Sequence, residues 1–313
     1  MNIEFKTIYL SENKGHGNAR RQSIRNCSNE LIAIMDADDI SMPYRFEKQM
    51  NIMMSDRNIS VVGGQIIEFI GNPENRVGKR QVFEEDAQIK RDMKKRCPMN
   101  QMTVMFRKSK LDMAGGYLDW YCNEDYYLWN RMFLSGCQFR NVSEVLVNVR
   151  VGELMSSRRG GTKYFFSEMR LQTYMLKNKI ISLPRYVENI MIRFVGEVVL
   201  TNKLRSKMFR FVRKKITIED IIEREIDVKS QKTQEVYSDF SVAMCVYGKD
   251  NAEWFDKAIQ SVINQTVQPS EIVLVVDGSI PESIQNVIAK YERLCNKRET
   301  MRDFINGEDI TGC

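Results

Sequence analysis

Residues 30–35 read ELIAIM and run directly into Asp36, Asp38 and Asp39. A strand that is apolar on both faces cannot stand at a solvated edge. It belongs inside a sheet covered on both sides, the parallel sheet of α/β proteins. Three carboxylates within four residues repel one another unless something cationic neutralises them. A divalent ion with hard oxygen ligands does so, and its remaining positions take phosphates. An acidic turn left in solvent is the plainer reading of such a cluster. Position favours a site, because open α/β sheets place ligands at the carboxyl ends of their strands.

The rest of the chain alternates strand and helix patterns, which extends the α/β reading. FKTIYL (5–10) reads as a strand, and the following glycine-rich turn opens a helix. A second helix is expected over 44–54, with Pro43 at its start. Strands are expected at 59–63, 65–69 and 103–106, and Gly115-Gly116 makes a turn. A helix from Glu124 closes at Gly136, and 145–151 returns as a strand. Residues 164–215 are helical in period and increasingly basic, and 216–238 form a polar connector. Strand patterns then restart at 240–247 and 271–276, each followed by a helix pattern, at 252–264 and 281–293.

Composition bounds the chemistry. The 313 residues carry a net charge of +6 with lysine and arginine interspersed among acids, and no aromatic platform accompanies them. Nucleic acid is therefore not an expected partner. The single histidine, His16, excludes a multi-histidine metal centre and is assigned no catalytic role. Seven cysteines without a CxxC pair read as reduced thiols of a cytoplasmic protein. No uncharged apolar run is long enough to span a bilayer.

Further candidates stand beside the acid cluster. Glu124-Asp125 opens a helix, where acids complement the helix dipole, and a carboxylate there can equally serve as a general base. Tyr117 and Trp120, in the loop before it, are aromatic faces on which an acceptor sugar could stack. Asp277 ends an apolar strand, so it either caps the next turn or accepts a hydrogen bond from a nucleobase or ribose. Lys14, Arg20, Arg21, Arg158 and Arg159 could meet a diphosphate, and each is also an ordinary surface charge.

Taken together, NKGHGNARR, MDADDISMPYRFEKQ, the stretch from CPMNQMTVMFRKS to GGYLDWYCNEDYYLW, and FSVAMCVYGKDNAEWFDKAIQSVINQTVQPSEIVLVVDGS resemble the family 2 glycosyltransferases. The likeness covers most of 3–215 and 239–291. It implies the α/β GT-A fold, a mostly parallel central sheet flanked by helices, here with an added helical basic segment. It also implies inverting transfer of a sugar from a nucleoside diphosphate donor, usually UDP, to an acceptor hydroxyl on a glycan or lipid-linked glycan, as in bacterial surface polysaccharide synthesis. Carried over by residue, Asp36 and Asp38 match the Asp-x-Asp motif, with Asp38 the direct ligand of Mn or Mg. Asp125, beside Glu124, matches the catalytic base. Asp277 matches the acid that contacts uracil, Val246 and Tyr247 the nucleotide-facing end of the first strand, and Arg20 the arginine beside the nucleoside.

The order of the pieces departs from the family. The strand like FSVAMCVY normally comes first, yet here it follows the segment that normally comes last. A circular permutation is the favoured explanation. Residues 1–163 and 239–291 would then form one GT-A domain, separated by the basic helical segment 164–215 and a linker 216–238, with 292–313 as a tail. Strand 241–247 should accordingly lie beside 31–36, with 271–277 next and 5–10 beyond. A truncated transferase that binds nucleotide without turnover is one alternative, and a metal-dependent phosphatase using the acidic turn is another. The apolar and basic residues of 185–215 further suggest peripheral contact with anionic lipid at the inner face of the plasma membrane.

Overall fold

The computed structural model describes residues 3–152, 161–199 and 237–296. In chain order the elements begin β1 (Glu4–Leu10), α1 (His16–Asn26), β2 (Leu31–Asp36), β3 (Ile40–Ser41), α2 (Arg45–Ser55), β4 (Ile59–Phe69) and β5 (Arg76–Arg80). They continue with α3 (Asp86–Met93), β6 (Met105–Arg107), α4 (Lys108–Met113), α5 (Glu124–Leu134) and β7 (Gln138–Arg150). Helices α6 (Thr162–Lys177) and α7 (Leu183–Arg193) follow, with a π-helical turn, Phe194–Val199, extending α7. Last come β8 (Phe240–Tyr247), α8 (Ala252–Ile263), β9 (Glu271–Asp277) and α9 (Glu282–Asn296).

The nine strands of the described residues form one sheet in the order β1-β9-β8-β2-β6-β4-β7-β3, with β5 paired to β4. The strand neighbours expected from the resemblance are the ones found. β2 pairs β8 in parallel with Asp36 opposite Cys245, β8 pairs β9 with Tyr247 opposite Asp277, and β9 pairs β1. The ladders to β6 are short and antiparallel, so the long ladders in the centre are the parallel ones. Successive residues of β2 alternate between two cores. Leu31, Ala33 and Met35 pack with Phe46, Phe255 and Ile259, whereas Ile32 and Ile34 pack with Ile24, Trp129 and Leu171. Two covered faces are what a strand without a polar side requires.

A polar clamp locks the amino-terminal ends of the central strands. Glu271 of β9 accepts from Lys6 of β1 at 2.5 Å, from the Ser28 amide and hydroxyl at 2.9 Å each, and from the Ser241 hydroxyl of β8. Burial opposes its ionisation, but these donors outweigh burial and hold its pKa below the usual glutamate value.

Several boundaries differ from expectation. The two strands read at 59–63 and 65–69 are one strand, β4. Gly63-Gly64 makes no turn there. A Cβ on Gly63 would lie 2.5 Å from Asn141 Oδ1, and one on Gly64 2.6 Å from Leu146, so these glycines admit close packing across β4 and β7. Pro43 precedes the cap of α2 and is not its first residue. The strand expected at 103–106 begins only at Met105, after a single 3-10 turn, and β7 starts seven residues before the expected Val145. Arg158, Arg159 and the basic stretch 200–215 lie outside the described residues, as do nearly all of the connector and most of the tail.

Candidate active site

Because β1, β9, β8 and β2 run in parallel, their carboxyl ends share one rim, and Asp277, Tyr247 and Asp36 stand on it. The turn from β1 into α1 folds over this rim. Asp277 fixes it, accepting the Lys14 amide at 2.9 Å on one carboxylate oxygen and the Gly15 amide at 3.1 Å on the other. The next residue, Gly278, has φ +83°, and a Cβ there would lie 2.8 Å from the Asn13 amide nitrogen. Only glycine fits that turn without strain. Between turn and strand ends lies a pocket of about 190 Å³ lined by Asn13, Gly15, His16, Ala19, Cys245, Val246, Tyr247 and Asp277. Its size is below the roughly 300–1,000 Å³ of pockets that enclose a whole ligand. It suits one ring of a larger ligand whose remainder extends along the rim.

Arg20 is the electrostatic hub of that rim. Its side chain is only 9% exposed, and it donates to Asp36 at 3.0 Å and to Glu124 at 3.4 Å. Burial opposes its charge, but Asp36, with Tyr117 and Glu124 behind it, outweighs burial and raises its pKa. One guanidinium thus ties the end of β2 to the start of α5. Burial, then Asp125, pushes Glu124 up in pKa, and Arg20 restrains it. Asp125 accepts its neighbour Tyr126 amide at 2.6 Å and lies 3.7 Å from the Cys97 thiol. Burial and then Asp125 keep that thiol protonated, so it is a donor toward the carboxylate.

The acid cluster divides into two jobs. Asp39 is buried and accepts the Arg150 amide at 2.9 Å, and burial, then Asp38 and Asp36, pushes its pKa well up. It anchors the turn to β7. Asp36 and Asp38 are partly exposed and remain as hard oxygen donors. Among the described residues no group of three or more His, Cys, Asp or Glu side chains could close a metal cage. Two carboxylates are the donor set of an ion that completes its shell with substrate phosphates and water, so Mn or Mg fits them.

The two aromatic candidates of the loop before α5 are packed against their neighbours. Tyr117 is 1% exposed, with the Arg20 guanidinium 5.7 Å from its ring centre and Gln101 donating to its hydroxyl. Trp120 is 8% exposed, packed on Tyr127 at 4.3 Å with Arg170 4.3 Å from its ring centre. Neither ring offers a free face to a sugar. The exposed aromatic of that loop is Tyr121. Val246 and its neighbour Cys245 both line the pocket, and Val246 also belongs to the core cluster behind β8.

Sequence reasoning missed Arg150 entirely. Its Nε donates to the Asp38 carbonyl at 3.1 Å and its Nη1 to the Gly71 carbonyl at 2.6 Å, while its guanidinium lies 4.6 Å from the Phe69 ring centre and 4.1 Å from that of Trp254. His16, left without a role, forms part of the pocket wall edge-on to Tyr247.

The model of glycosyl transferase family 2 matches residues 1–112 and 241–303, the two stretches that build this rim. The chain belongs to that family. It is a glycosyltransferase with the mixed α/β GT-A architecture. An uncharacterized glycosyltransferase of Haemophilus influenzae is 34% identical over 212 residues, 68% of this chain and 79% of that protein. The amylovoran biosynthesis glycosyltransferase AmsE of Erwinia amylovora is 33% identical over 66% of this chain and 76% of its own length. A UDP-Gal:alpha-D-GlcNAc-diphosphoundecaprenol beta-1,3-galactosyltransferase of Escherichia coli is 30% identical over 64% of this chain and 72% of its own length.

Proposed function

We propose that this glycosyltransferase transfers a sugar, with inversion, from a UDP-linked donor to a hydroxyl of a lipid-linked glycan in bacterial surface polysaccharide synthesis. The observation that carries the reading is the single rim on which Arg20 joins Asp36 to Glu124 while Asp277 holds the pocket turn. The similar Escherichia coli enzyme, whose name gives a UDP donor and a diphosphoundecaprenol acceptor, supports both substrate classes.

In this reading the pocket takes the nucleobase, with Tyr247 and His16 along its wall. A carboxylate offers about four acceptor positions, so Asp277 keeps capacity toward the base beyond its two bonds to the turn. The diphosphate runs toward Asp36 and Asp38, which would hold Mn or Mg. Bound there, the ion offsets the charge that develops on the leaving diphosphate. Asp125 takes the proton from the acceptor hydroxyl as that oxygen attacks the anomeric carbon opposite the leaving group, and the bond to the diphosphate oxygen breaks.

We also read the chain order as a permutation of the family's order. The support is that β8 and β9 fill the positions between β2 and β1 that residues 3–152 alone leave empty. The test of function is a screen of UDP- and GDP-sugars with Mn, run on the wild type and on Asp125→Asn. The variant should bind donor normally and lose at least about a hundredfold in transfer, the scale for a missing general base. Lost donor binding in that variant, or hydrolysis of phosphomonoesters without sugar transfer by the wild type, refutes the assignment.

A further inference from the structure

Helix α7 and its π-helical extension carry a stripe that nothing among the described residues covers. Leu183, Val187, Met191, Val195 and Val198 recur at helical spacing and are all exposed, Leu183 at 62%. The opposite side of the same helix is firmly seated. Asn189 donates to the Lys94 carbonyl and to Gln172, both at 2.8 Å, and Arg193 pairs with buried Glu168 at 2.7 Å. The stripe is therefore a fixed surface, and a soluble fold has no use for a fixed row of exposed apolar side chains.

A cationic pocket stands at the amino-terminal end of the stripe. It measures about 500 Å³ and is lined by Lys94, Lys179 and Arg185 among Leu176, Ile180 and Ile181. Arg185 is engaged by Glu188 at 2.7 Å, whereas both lysines are exposed and form no ion pair among the described residues. An apolar row beside lysines that can take phosphate is the pattern of an interfacial helix on anionic lipid. The stripe is also linked by packing to the loop that leads into α5. Phe194 packs on Phe165 of α6, and Ser167 of the same helix donates to the Tyr121 carbonyl at 2.6 Å, three residues before Glu124.

We infer that the α7 stripe and the Lys94–Lys179 pocket dock this protein on an anionic phospholipid surface, the stripe entering the acyl region and the lysines meeting headgroup phosphates. The inference concerns binding alone and goes beyond the proposed transfer reaction. It stands or falls independently of the donor and of the catalytic base.

The test is flotation of the full chain with vesicles of phosphatidylcholine, with and without about 30% phosphatidylglycerol, at low salt. The wild type should float with the anionic vesicles and much less with the neutral ones. Val187→Glu, Met191→Glu and Val195→Glu together should lower the partition coefficient at least about tenfold, since they place charge in the buried face of an interfacial helix. Lys94→Glu with Lys179→Glu should abolish the preference for anionic lipid. All five positions are exposed, and an unchanged unfolding temperature verifies folding. A wild type that stays with the aqueous fraction overturns the inference. So does a stripe variant that floats like the wild type, or a wild-type dimer that the stripe variant splits without change in flotation.

Discussion

Removing the shared cation at the rim gives the sharpest test of the site's electrostatics. Arg20→Met leaves Asp36 and Glu124, 3.0 and 3.4 Å from the guanidinium, without their common partner. At those separations each attraction amounts to about 5 kcal/mol at an effective dielectric near 20. Desolvating the guanidinium takes back several kcal/mol. Asp36, with 30% of its side chain exposed, also recovers water when the partner goes. The net loss should sit near the lower end of the range for breaking a buried pair, about 3 kcal/mol. For a domain of this size that lowers Tm by about 6–12 °C. Urea unfolding of Arg20→Met, Asp36→Asn and the double variant isolates the pair. A coupling energy of about 1–2 kcal/mol is expected. Additivity within about 0.3 kcal/mol would show that the ion pair holds nothing together, and the hub role of Arg20 would be refuted.

Asp38→Asn should abolish Mn-dependent binding of UDP, because an amide cannot offset the ion's charge; unchanged affinity by calorimetry removes Asp38 from the metal site. Glu271 has a depressed folded pKa, so its stabilisation is complete above the unfolded value near 4.3 and is lost as pH falls through the folded one. Glu271→Gln should therefore cost about 2 kcal/mol at pH 7 and progressively less toward pH 3; a difference constant across that range contradicts the clamp. Gly278→Ala forces a side chain onto φ +83° and against Asn13. It should cost about 2 kcal/mol and weaken UDP binding, and a variant with native Tm would show that the turn is not constrained.

The central strands were legible because their constraint is local. ELIAIM and EIVLVV carry no polar face, and each ends at an acid. The site's supports were not legible, because they depend on contacts between distant segments. Arg150 reaches the Asp38–Asp39 turn only through the pairing of β3 with β7. Tyr117 sits in a glycine-flanked loop that reads as exposed, yet its ring is buried beside the Arg20 guanidinium, which comes from a segment about a hundred residues earlier. Gly63-Gly64 carries the sequence signature of a turn, and only the approach of Asn141 and Leu146 shows why the strand runs through it.

The strand order has a consequence for how the protein is made. β1 and β2 emerge from the ribosome well before β8 and β9, but each pairs along its full length only with β9 or β8, which begin at Glu271 and Phe240. At about 5–20 residues per second, the roughly 200 residues between β2 and β8 take about 10–40 s to synthesise. For that interval two apolar strands have no partners for their long edges, a state prone to association with other nascent chains. The sheet can close only when β8 and β9 insert between them, a late step of high contact order. A long wait for partner strands is thus built into the order of the chain, whatever the stability of the finished domain.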